Sequence, residues 1–275
     1  MTKDVHKIHS LSGYTFITRE SQPEEDSSVT ARLRRLETQF EESGIRRSVE
    51  AIMLVDVHGF PHVLVLQVAN AFYKLPGGYL DPSESDADGL ITRLNGQLGI
   101  PPDANLTSLN VNGHFEYIDD HGDNGRFELK AQAGPATISR TESIGSAKEN
   151  KESKKAHVIT PLSQSWEVRD CVSTWWRPNF DTFFYPYIPA HISQPKECKK
   201  FYLVELPPNK TFAVPANMKL HGIPICEFYD NAARYGPQFA GIPYILSKYT
   251  FVKGAIPKAP EDAPPVPIKG VFLPE

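Results

Sequence analysis

The amino-acid sequence predicts a mixed α/β fold, in which helices pack against a sheet that contains antiparallel strands. Two observations predict it. Residues 48–57 and 62–69 are apolar and rich in β-branched side chains, and the Gly- and Pro-containing segment 58–61 separates them, which is typical of a β-hairpin. Segments with helical periodicity, residues 26–44 and 84–98, flank this hairpin. Strands interleaved with helices indicate an α/β or α+β domain.

The first predicted helix covers residues 26–44. Its apolar side chains recur at helical spacing and therefore share one face: Val29, Leu33, Leu36 and Phe40. Asp26 or Ser27 can accept hydrogen bonds from the first free amide groups, and Gly44 ends the helix. The segment is therefore predicted to be amphipathic and capped at both ends.

A long polar insertion interrupts the regular pattern at residues 101–164. Its middle part contains too few large apolar side chains to fold unaided. Within it, residues 114–130 are compatible with a hairpin that turns at Asn124 and Gly125. The insertion is thus predicted to be partly disordered.

Regular structure resumes after the insertion. The predicted elements are an apolar segment at 166–180, strands at 200–206 and 211–215, a short segment at 226–233 and a helix at 238–250. Pro243 is expected to bend that helix or delay its start. The last residues, 252–275, are proline-rich and predict an extended tail.

Composition limits the classes of function. The chain has 275 residues and a formal net charge of −4, which argues against a protein that binds nucleic acid mainly through phosphate contacts. Any nucleic acid would have to be held largely by its bases. No apolar run reaches the length of about 20 residues that spans a bilayer, and the N-terminus does not resemble a signal peptide. A soluble, intracellular protein is expected.

The three cysteines, Cys171, Cys198 and Cys226, form no C-x-x-C pair. Their wide spacing predicts neither a disulfide framework nor a zinc site. Partly buried free thiols are expected.

One short stretch carries the spacing of a known motif. Five residues separate Gly78 from Glu84, seven more lead to position 92, and the pattern closes at Gly99 and Ile100. This spacing resembles the Nudix box, G-x5-E-x7-R-E-U-x-E-E-x-G-U, where U is an aliphatic residue. Gly78, Glu84, Leu94, Gly99 and Ile100 fit it, whereas its R-E and E-E pairs are replaced by Thr92, Arg93, Gly96 and Gln97.

The replaced positions are the chemical ones. Active members of this family hold Mg²⁺ against a diphosphate with carboxylates, because this cation needs oxygen ligands. Arg93 would repel the ion, Gly96 offers no ligand and Gln97 is neutral. The sequence therefore predicts no hydrolysis by this route, no catalytic residue, no metal and no cofactor.

Three carboxylates remain beside the box. Glu84, Asp86 and Asp88 could form an alternative metal site, or they could be acids that interact with the positive end of the helix dipole. The second interpretation is favoured.

Further stretches of the chain resemble the small subunit of cleavage factor Im, a Nudix-like RNA-binding family of pre-mRNA 3′-end processing. The matching stretches include "DSSV.AR", "PHVL.LQ", "F.KLPGG", "WWRPNF", "YPYIPAHI" and "YDNA..YGP". The resemblance implies a Nudix-like α/β/α sandwich with a mixed central sheet over residues 13–251, interrupted by the 101–164 insertion. It leaves residues 1–12 as an N-terminal arm and residues 252–275 as a proline-rich tail.

The resemblance also implies a function. Members of this family bind short single-stranded RNA of the UGUA type as homodimers without hydrolysis. They act in the nucleus, together with a larger subunit that carries an RNA-recognition domain. The same partners and localisation are therefore expected for this chain.

Individual residues match the family's RNA site by position. Phe72 matches a base-stacking aromatic, and Glu24 and Arg32 match side chains that read or brace bases. The remaining expected RNA contacts are Glu50, Tyr73, Leu75, Gly78, Tyr235 and Gly236. Single-stranded RNA exposes base faces and edges, so one aromatic platform with carboxylate and guanidinium groups can bind and discriminate it.

Simpler interpretations stand beside these assignments. Alternation along a strand turns either Phe72 or Tyr73 into the core, and Arg32 could be an ordinary solvated charge. Trp175 and Trp176 are interpreted as core and interface residues. The lysines at 196, 199 and 200 are interpreted as a solvated basic loop, with phosphate contact as the alternative.

The chain also departs from the family. Ala71 stands where relatives carry Thr, and Tyr79 stands where they carry an acidic residue, so the preferred tetranucleotide stays open. Two rival functions also remain: a metal-dependent hydrolase of dinucleoside polyphosphates, and a scaffold that binds only protein through residues 175–187. A pocket that binds a dinucleotide without cleaving it is a mixed case.

Overall fold

The computed structural model describes residues 4–23, 25–69, 72–100, 113–118, 126–131, 166–181 and 183–254. The strands are β1 (Val5–Ile8), β2 (Thr15–Arg19), β3 (Arg46–Val57), β4 (Phe60–Val68), β5 (Phe72–Lys74), β6 (Gly77–Tyr79), β7 (Gly113–Ile118), β8 (Arg126–Ala131), β9 (Glu167–Arg177), β10 (Glu197–Glu205), β11 (Thr211–Pro215), β12 (Met218–Pro224) and β13 (Thr250–Lys253). The helices are α1 (Val29–Ser43), α2 (Asp86–Leu98), α3 (Ala232–Tyr235), α4 (Pro237–Ala240) and α5 (Ile242–Leu246). Short 3-10 helices lie at Leu11–Gly13 and Ile225–Phe228.

A mixed sheet forms the centre of the molecule. Its strands run in the order β7-β8-β12-β4-β3-β10-β9, with β5 added to β4 and β6 added to β3. Strands β3 and β10 are parallel, and the other neighbours are antiparallel. The predicted mixed central sheet is confirmed.

Alternation along the central strands divides the core into two layers. Met53 and Leu64 point to the face that α2 covers with Leu90, Leu94 and Leu98. Ile52 and Val63 point to the opposite face, where Phe239, Ile242 and Leu246 of α4 and α5 cover them. Successive strand residues face opposite sides, so helices lie on both faces and the α/β/α arrangement is confirmed.

The predicted hairpin is β3–β4. Val57 pairs with Phe60, which leaves a two-residue turn at His58 and Gly59. Both have positive φ angles, 51° and 93°, as a turn that matches the twist of a hairpin requires.

The ends of the described chain form part of the domain. Strand β1 pairs in parallel with β13, from Val5 opposite Thr250 to Ile8 opposite Lys253. The expected boundaries after residues 12 and 251 therefore differ from the structure, because β1 belongs to the expected arm and β13 crosses into the expected tail. Sequence patterning does not show this pairing, since each strand has only four residues.

Part of the expected insertion extends the central sheet. Strands β7 and β8 pair with each other, and β8 also pairs with β12 at Gly222 and His221. The hairpin expected at 114–130 is thus present. Its expected turn at Asn124 and Gly125, and the rest of the insertion, lie outside the described residues.

Two helices differ in detail from the prediction. The cap of α1 is Ser28, whose Oγ accepts from the Ala31 amide at 3.1 Å. Asp26 instead accepts two hydrogen bonds from Arg35, at 2.8 and 2.6 Å. The helix expected at 238–250 is divided into α4 and α5 at Gly241, because Pro243 fits only the first turn of a new helix. No helix in the described ranges is long and apolar enough to cross a membrane.

Candidate nucleic-acid interface

The box residue Glu84 is held by the arginine that replaces a carboxylate. Arg93 lies 2.9 Å from Glu84 Oε2, donates to Oε1 at 3.1 Å, and donates from Nε to the Tyr79 carbonyl at 2.8 Å. Gly78 lies beneath the arginine stem, since a Cβ there would stand 3.5 Å from Arg93 Cγ. The retained acid of the box is thus neutralised by a neighbouring side chain.

Gln97, at a second replaced position of the box, holds Gly77 at the start of β6. Its amide donates to the Gly77 carbonyl at 2.7 Å and accepts from the Gly77 amide at 2.9 Å. Gly77 has a φ of 144°, and a Cβ there would overlap the Val49 carbonyl. The neutral side chain therefore satisfies both backbone groups of a residue that must be glycine.

The other two acids near the box also have protein partners. Asp86 accepts from Lys200 at 2.6 Å and from Tyr202 at 2.8 Å. Burial would raise the pKa of Asp86, but these hydrogen bonds outweigh it and lower the pKa. Asp88 accepts from the hydroxyl of the N-cap Ser85 at 2.7 Å, while its amide donates to that hydroxyl. These contacts favour the helix-terminus interpretation over the alternative metal site.

No group of three or more His, Cys, Asp or Glu side chains suited to a metal ion occurs among the residues that the structure describes.

At strand β5, Phe72 and Tyr73 point in opposite directions. Phe72 is 55% exposed. Tyr73 packs edge-on against Tyr235, with ring centroids 4.8 Å apart, and against His221 at 5.6 Å. Of the two residues, Phe72 is therefore the one that presents its ring to solvent.

Tyr235 forms a wall behind this pair. It is buried, and its hydroxyl donates to the carboxylate of Glu227. Burial, with the hydrogen bond and charge of Glu227, raises the pKa of Tyr235 well above its ordinary value. Gly236 follows with a φ of 96°, so the turn after α3 favours glycine.

Glu50 lies on β3 opposite Gly77 of β6. Its carboxylate accepts from Lys199 at 2.6 Å, and each side chain is 15% exposed. Burial lowers the pKa of Lys199, but the negative charges of Glu50 and Glu197 outweigh it and the net shift is upward. Burial lowers the pKa of the half-buried Lys74, on which the charge of Glu50 also acts. A carboxylate between two lysines keeps acceptor capacity for a polar ligand.

The segment that precedes α1 lies near Glu50 and Lys74. The charge of Glu25 acts on both Lys74 and Arg35, and Glu25 pairs with Arg35 at 2.8 Å. Arg32 is exposed on α1. The pKa of Asp26 is lowered by its hydrogen bond with Arg35, and the charge of Arg32 adds to this shift. Glu24, the neighbour of Glu25, lies outside the described residues.

Leu75 is buried to 1% exposure in the core beneath α4 and α5. Any contact between Leu75 and RNA would therefore have to come from its backbone.

Comparison with known proteins gives two results. Residues 4–249 match the second Nudix family model, described as a nucleotide hydrolase. The pre-mRNA cleavage factor Im 25 kDa subunit 2 of Arabidopsis thaliana is 38% identical over 247 residues, which are 90% of this chain and 95% of that protein. The chain belongs to the cleavage factor Im 25 kDa family.

A second relative supports membership of the cleavage factor Im 25 kDa family. The cleavage and polyadenylation specificity factor subunit 5 of Dictyostelium discoideum is 36% identical over 251 residues, 89% of this chain and 96% of that protein. Among solved structures, a C. elegans Ap4A hydrolase in a binary complex covers 74% of this chain and 96% of its own, at 10% identity and a TM-score of 0.35.

In this member of the cleavage factor Im 25 kDa family, the structure groups the expected site residues in two places. Phe72, Tyr73 and Tyr235 lie together at β5 and α3. Glu50 and Gly78 lie together at β3 and β6. The segment from Phe72 to Gly78 connects the two groups along the chain, although its middle residues, Leu75, Pro76 and Gly77, are buried.

The structure places the lysines at 196, 199 and 200 in two different settings. On β10, Lys199 binds Glu50 and Lys200 binds Asp86 of α2. Lys196, which precedes β10, lies over the Phe40 ring at 3.7 Å from its centroid. The interpretation of Lys199 and Lys200 as part of a solvated loop is wrong, because β10 pairs with β3 and places both beside carboxylates. Lys196 lies in the bend that precedes β10. The apolar run that directly follows Lys199 and Lys200 in "KKFYLVE" was the available signal.

Proposed function

We propose that this protein binds single-stranded RNA of the UGUA type selectively in pre-mRNA 3′-end cleavage and polyadenylation. It does so without catalysis, as a nuclear homodimer that recruits a larger subunit with an RNA-recognition domain. Its relatives are named as subunits of cleavage and polyadenylation factors, and these names support a role in pre-mRNA 3′-end processing.

The exposed ring of Phe72 carries the proposal. An aromatic side chain that is 55% exposed at the end of a strand offers a flat face to a base, and Tyr73 and Tyr235 hold the strand behind it. Stacking of one base on such a ring is worth about 1 to 3 kcal/mol. Stacking does not require the protein to neutralise phosphate charges, which agrees with the formal net charge of −4.

Glu50 supports base-edge recognition. Its carboxylate lies at the glycine strand β6 and can accept from base amino or imino groups, as Lys199 does not use all of its lone pairs. Arg32 on α1 can donate to a base or stack on its plane.

We infer the absence of catalysis from the contacts that engage the carboxylates in and beside the box. Glu84 is engaged by Arg93, and Asp86 is engaged by Lys200 and Tyr202. A metal would have to displace these cations. Magnesium-dependent turnover of dinucleoside polyphosphates that is lost in Glu84→Gln would contradict this part of the proposal and favour the hydrolase.

The deciding experiment is a fluorescence-anisotropy titration of a labelled UGUA-containing RNA and a scrambled RNA, without magnesium. We expect wild type to prefer the UGUA RNA, and Phe72→Ala to lose about fivefold to 150-fold in affinity. Phe60→Ala is the matched control, because Phe60 is a 69% exposed phenylalanine at the far end of β4. Equal affinity for both RNAs, or no effect of Phe72→Ala, would refute base recognition and leave the protein-only scaffold.

A further inference from the structure

A cleft open to solvent lies where α1 meets the start of β3, the end of β9 and the start of β10. Its lining residues are Leu36, Arg46, Arg177, Phe180, Lys196 and Glu197. Three of these side chains are cations and only one is a carboxylate. The RNA surface described above does not include this cleft.

Each cation of the cleft lies over an aromatic ring. The distances to the ring centroids are 3.1 Å for Arg46 over Tyr79, 4.5 Å for Arg177 over Phe184 and 3.7 Å for Lys196 over Phe40. A ring face attracts a cation but leaves donors at its edge available to a second partner. The aromatic contacts therefore fix the cations in place without neutralising them.

The single carboxylate cannot balance three cations. Glu197 is 2% exposed, lies 3.2 Å from Arg177 and accepts from the Ser48 hydroxyl at 2.7 Å. Within the described part of the chain, Arg46 Nη1 and Arg177 Nε are buried without a hydrogen-bond acceptor. Buried charged donors without acceptors are costly, and an anion would satisfy both.

We propose that this cleft binds one phosphate group, to which Arg46, Arg177 and Lys196 donate hydrogen bonds. Guanidinium groups match the geometry of phosphate oxygens, and an ammonium adds a point charge. Glu197 repels the anion less than a free carboxylate would, because Arg177 lies 3.2 Å from Oε2 and Ser48 donates to Oε1, although Oε2 accepts no hydrogen bond among the described residues.

The phosphate could come from bound RNA or from a free phosphate. Tyr79, beneath Arg46, directly follows Gly78 of the candidate RNA site. A backbone phosphate next to the recognised bases is therefore the RNA group that the test below examines. That source rests on the proposed function, whereas the phosphate site itself does not.

The test compares wild type with Lys196→Met and Lys248→Met. Methionine keeps an unbranched stem over Phe40 and removes the charge. Lys248 is the matched control, since it is an exposed lysine over a tyrosine ring, 5.2 Å from the centroid of Tyr249, outside the cleft. Lys196→Gln replaces the methionine variant if circular dichroism shows that the latter has lost its fold.

The first measurement is the melting temperature in sodium phosphate against sodium chloride of equal ionic strength. A ligand that binds the folded state raises it. We expect phosphate to stabilise wild type and Lys248→Met but not Lys196→Met. The second measurement is the slope of log affinity for UGUA RNA against log salt, which one lost phosphate contact should reduce by about 0.7 in Lys196→Met alone.

Phosphate stabilisation that only Lys196→Met loses supports a site for free phosphate, and a reduced slope supports a site for the RNA backbone. If phosphate stabilises none of the proteins, or all equally, and the slopes agree, the proposal is overturned. Failure of wild type to bind UGUA RNA refutes the proposed function, while the melting experiment still decides the phosphate site.

Discussion

At the scale of single residues, side chains of the box contact one another and the neighbouring backbone. Arg93 binds Glu84, and Gln97 binds both backbone groups of Gly77. Residue identity was enough to predict that ligand groups are missing, because arginine, glycine and glutamine are poor magnesium ligands. The new contacts could not be predicted, since they depend on how α2 lies against β6.

A second residue-scale feature is the buried Lys210, whose Nζ lies 3.8 Å from the centroid of the Trp166 ring. Burial lowers its pKa from 10.5 to about 8. Below pH 8 the lysine is charged in both states, so the folded state carries the full cost of burying the charge. Between about pH 8 and 10.5 the unfolded state binds more protons, so the free energy of unfolding should rise with pH.

Lys210→Met should therefore raise the free energy of unfolding at pH 7 by about 1 to 3 kcal/mol, and the gain should shrink as the pH approaches 10.5. Urea unfolding of both proteins at several pH values measures this. The control is Lys7→Met, at an exposed lysine on β1. A gain that stays constant with pH would show that Lys210 does not titrate as argued.

At the scale of elements, strong periodicity was predictive and short or irregular segments were not. The β3–β4 hairpin and α2 were predicted, because long apolar patterns bounded by Gly and Pro have few alternatives. On α1 the apolar pattern was less informative: Leu36 is buried, but Val29 is 76% exposed and Leu33 is 37% exposed. Strand β12 was missed, because "MKLHGIP" contains Gly and Pro, yet it pairs with both β4 and β8.

The glycines of two helices give a prediction at this scale. Gly96 lies within α2, where a Cβ would meet no atom within 4 Å, so Gly96→Ala should raise the free energy of unfolding by about 0.5 to 1 kcal/mol. Gly44 also has free space, but its φ is 76°, so Gly44→Ala should lower the free energy by about 1 to 2 kcal/mol. Thermal denaturation of both variants checks this. Similar shifts for both would contradict the argument from backbone conformation.

At the scale of the whole molecule, charge limits how RNA can be held. The formal net charge is −4, and among the described residues discussed above Lys199, Lys200 and Arg35 are each paired with acids. These three cations are therefore engaged by protein carboxylates and are not free to bind phosphates. For the proposed RNA complex we therefore expect most of the affinity to come from stacking and base edges.

The salt dependence of RNA binding should accordingly be shallow. We expect log affinity for UGUA RNA to fall against log salt with a slope of magnitude below about 2, which corresponds to no more than two or three phosphate contacts. Anisotropy titrations from low to moderate potassium chloride measure it. A slope of 4 or more would show that phosphate contacts dominate, and would contradict the proposed mode of recognition.

The sequence by itself determined which chemistry is available and which long elements form. The types of the box residues, the hairpin and α2 depend on local identity and periodicity, and the matching stretches identified the family. Only the tertiary structure decided that Phe72 rather than Tyr73 faces solvent, that Lys199 meets Glu50, and that β1 closes against β13. Those outcomes depend on pairing between distant segments, and the free energy of such contacts is not encoded in either segment alone.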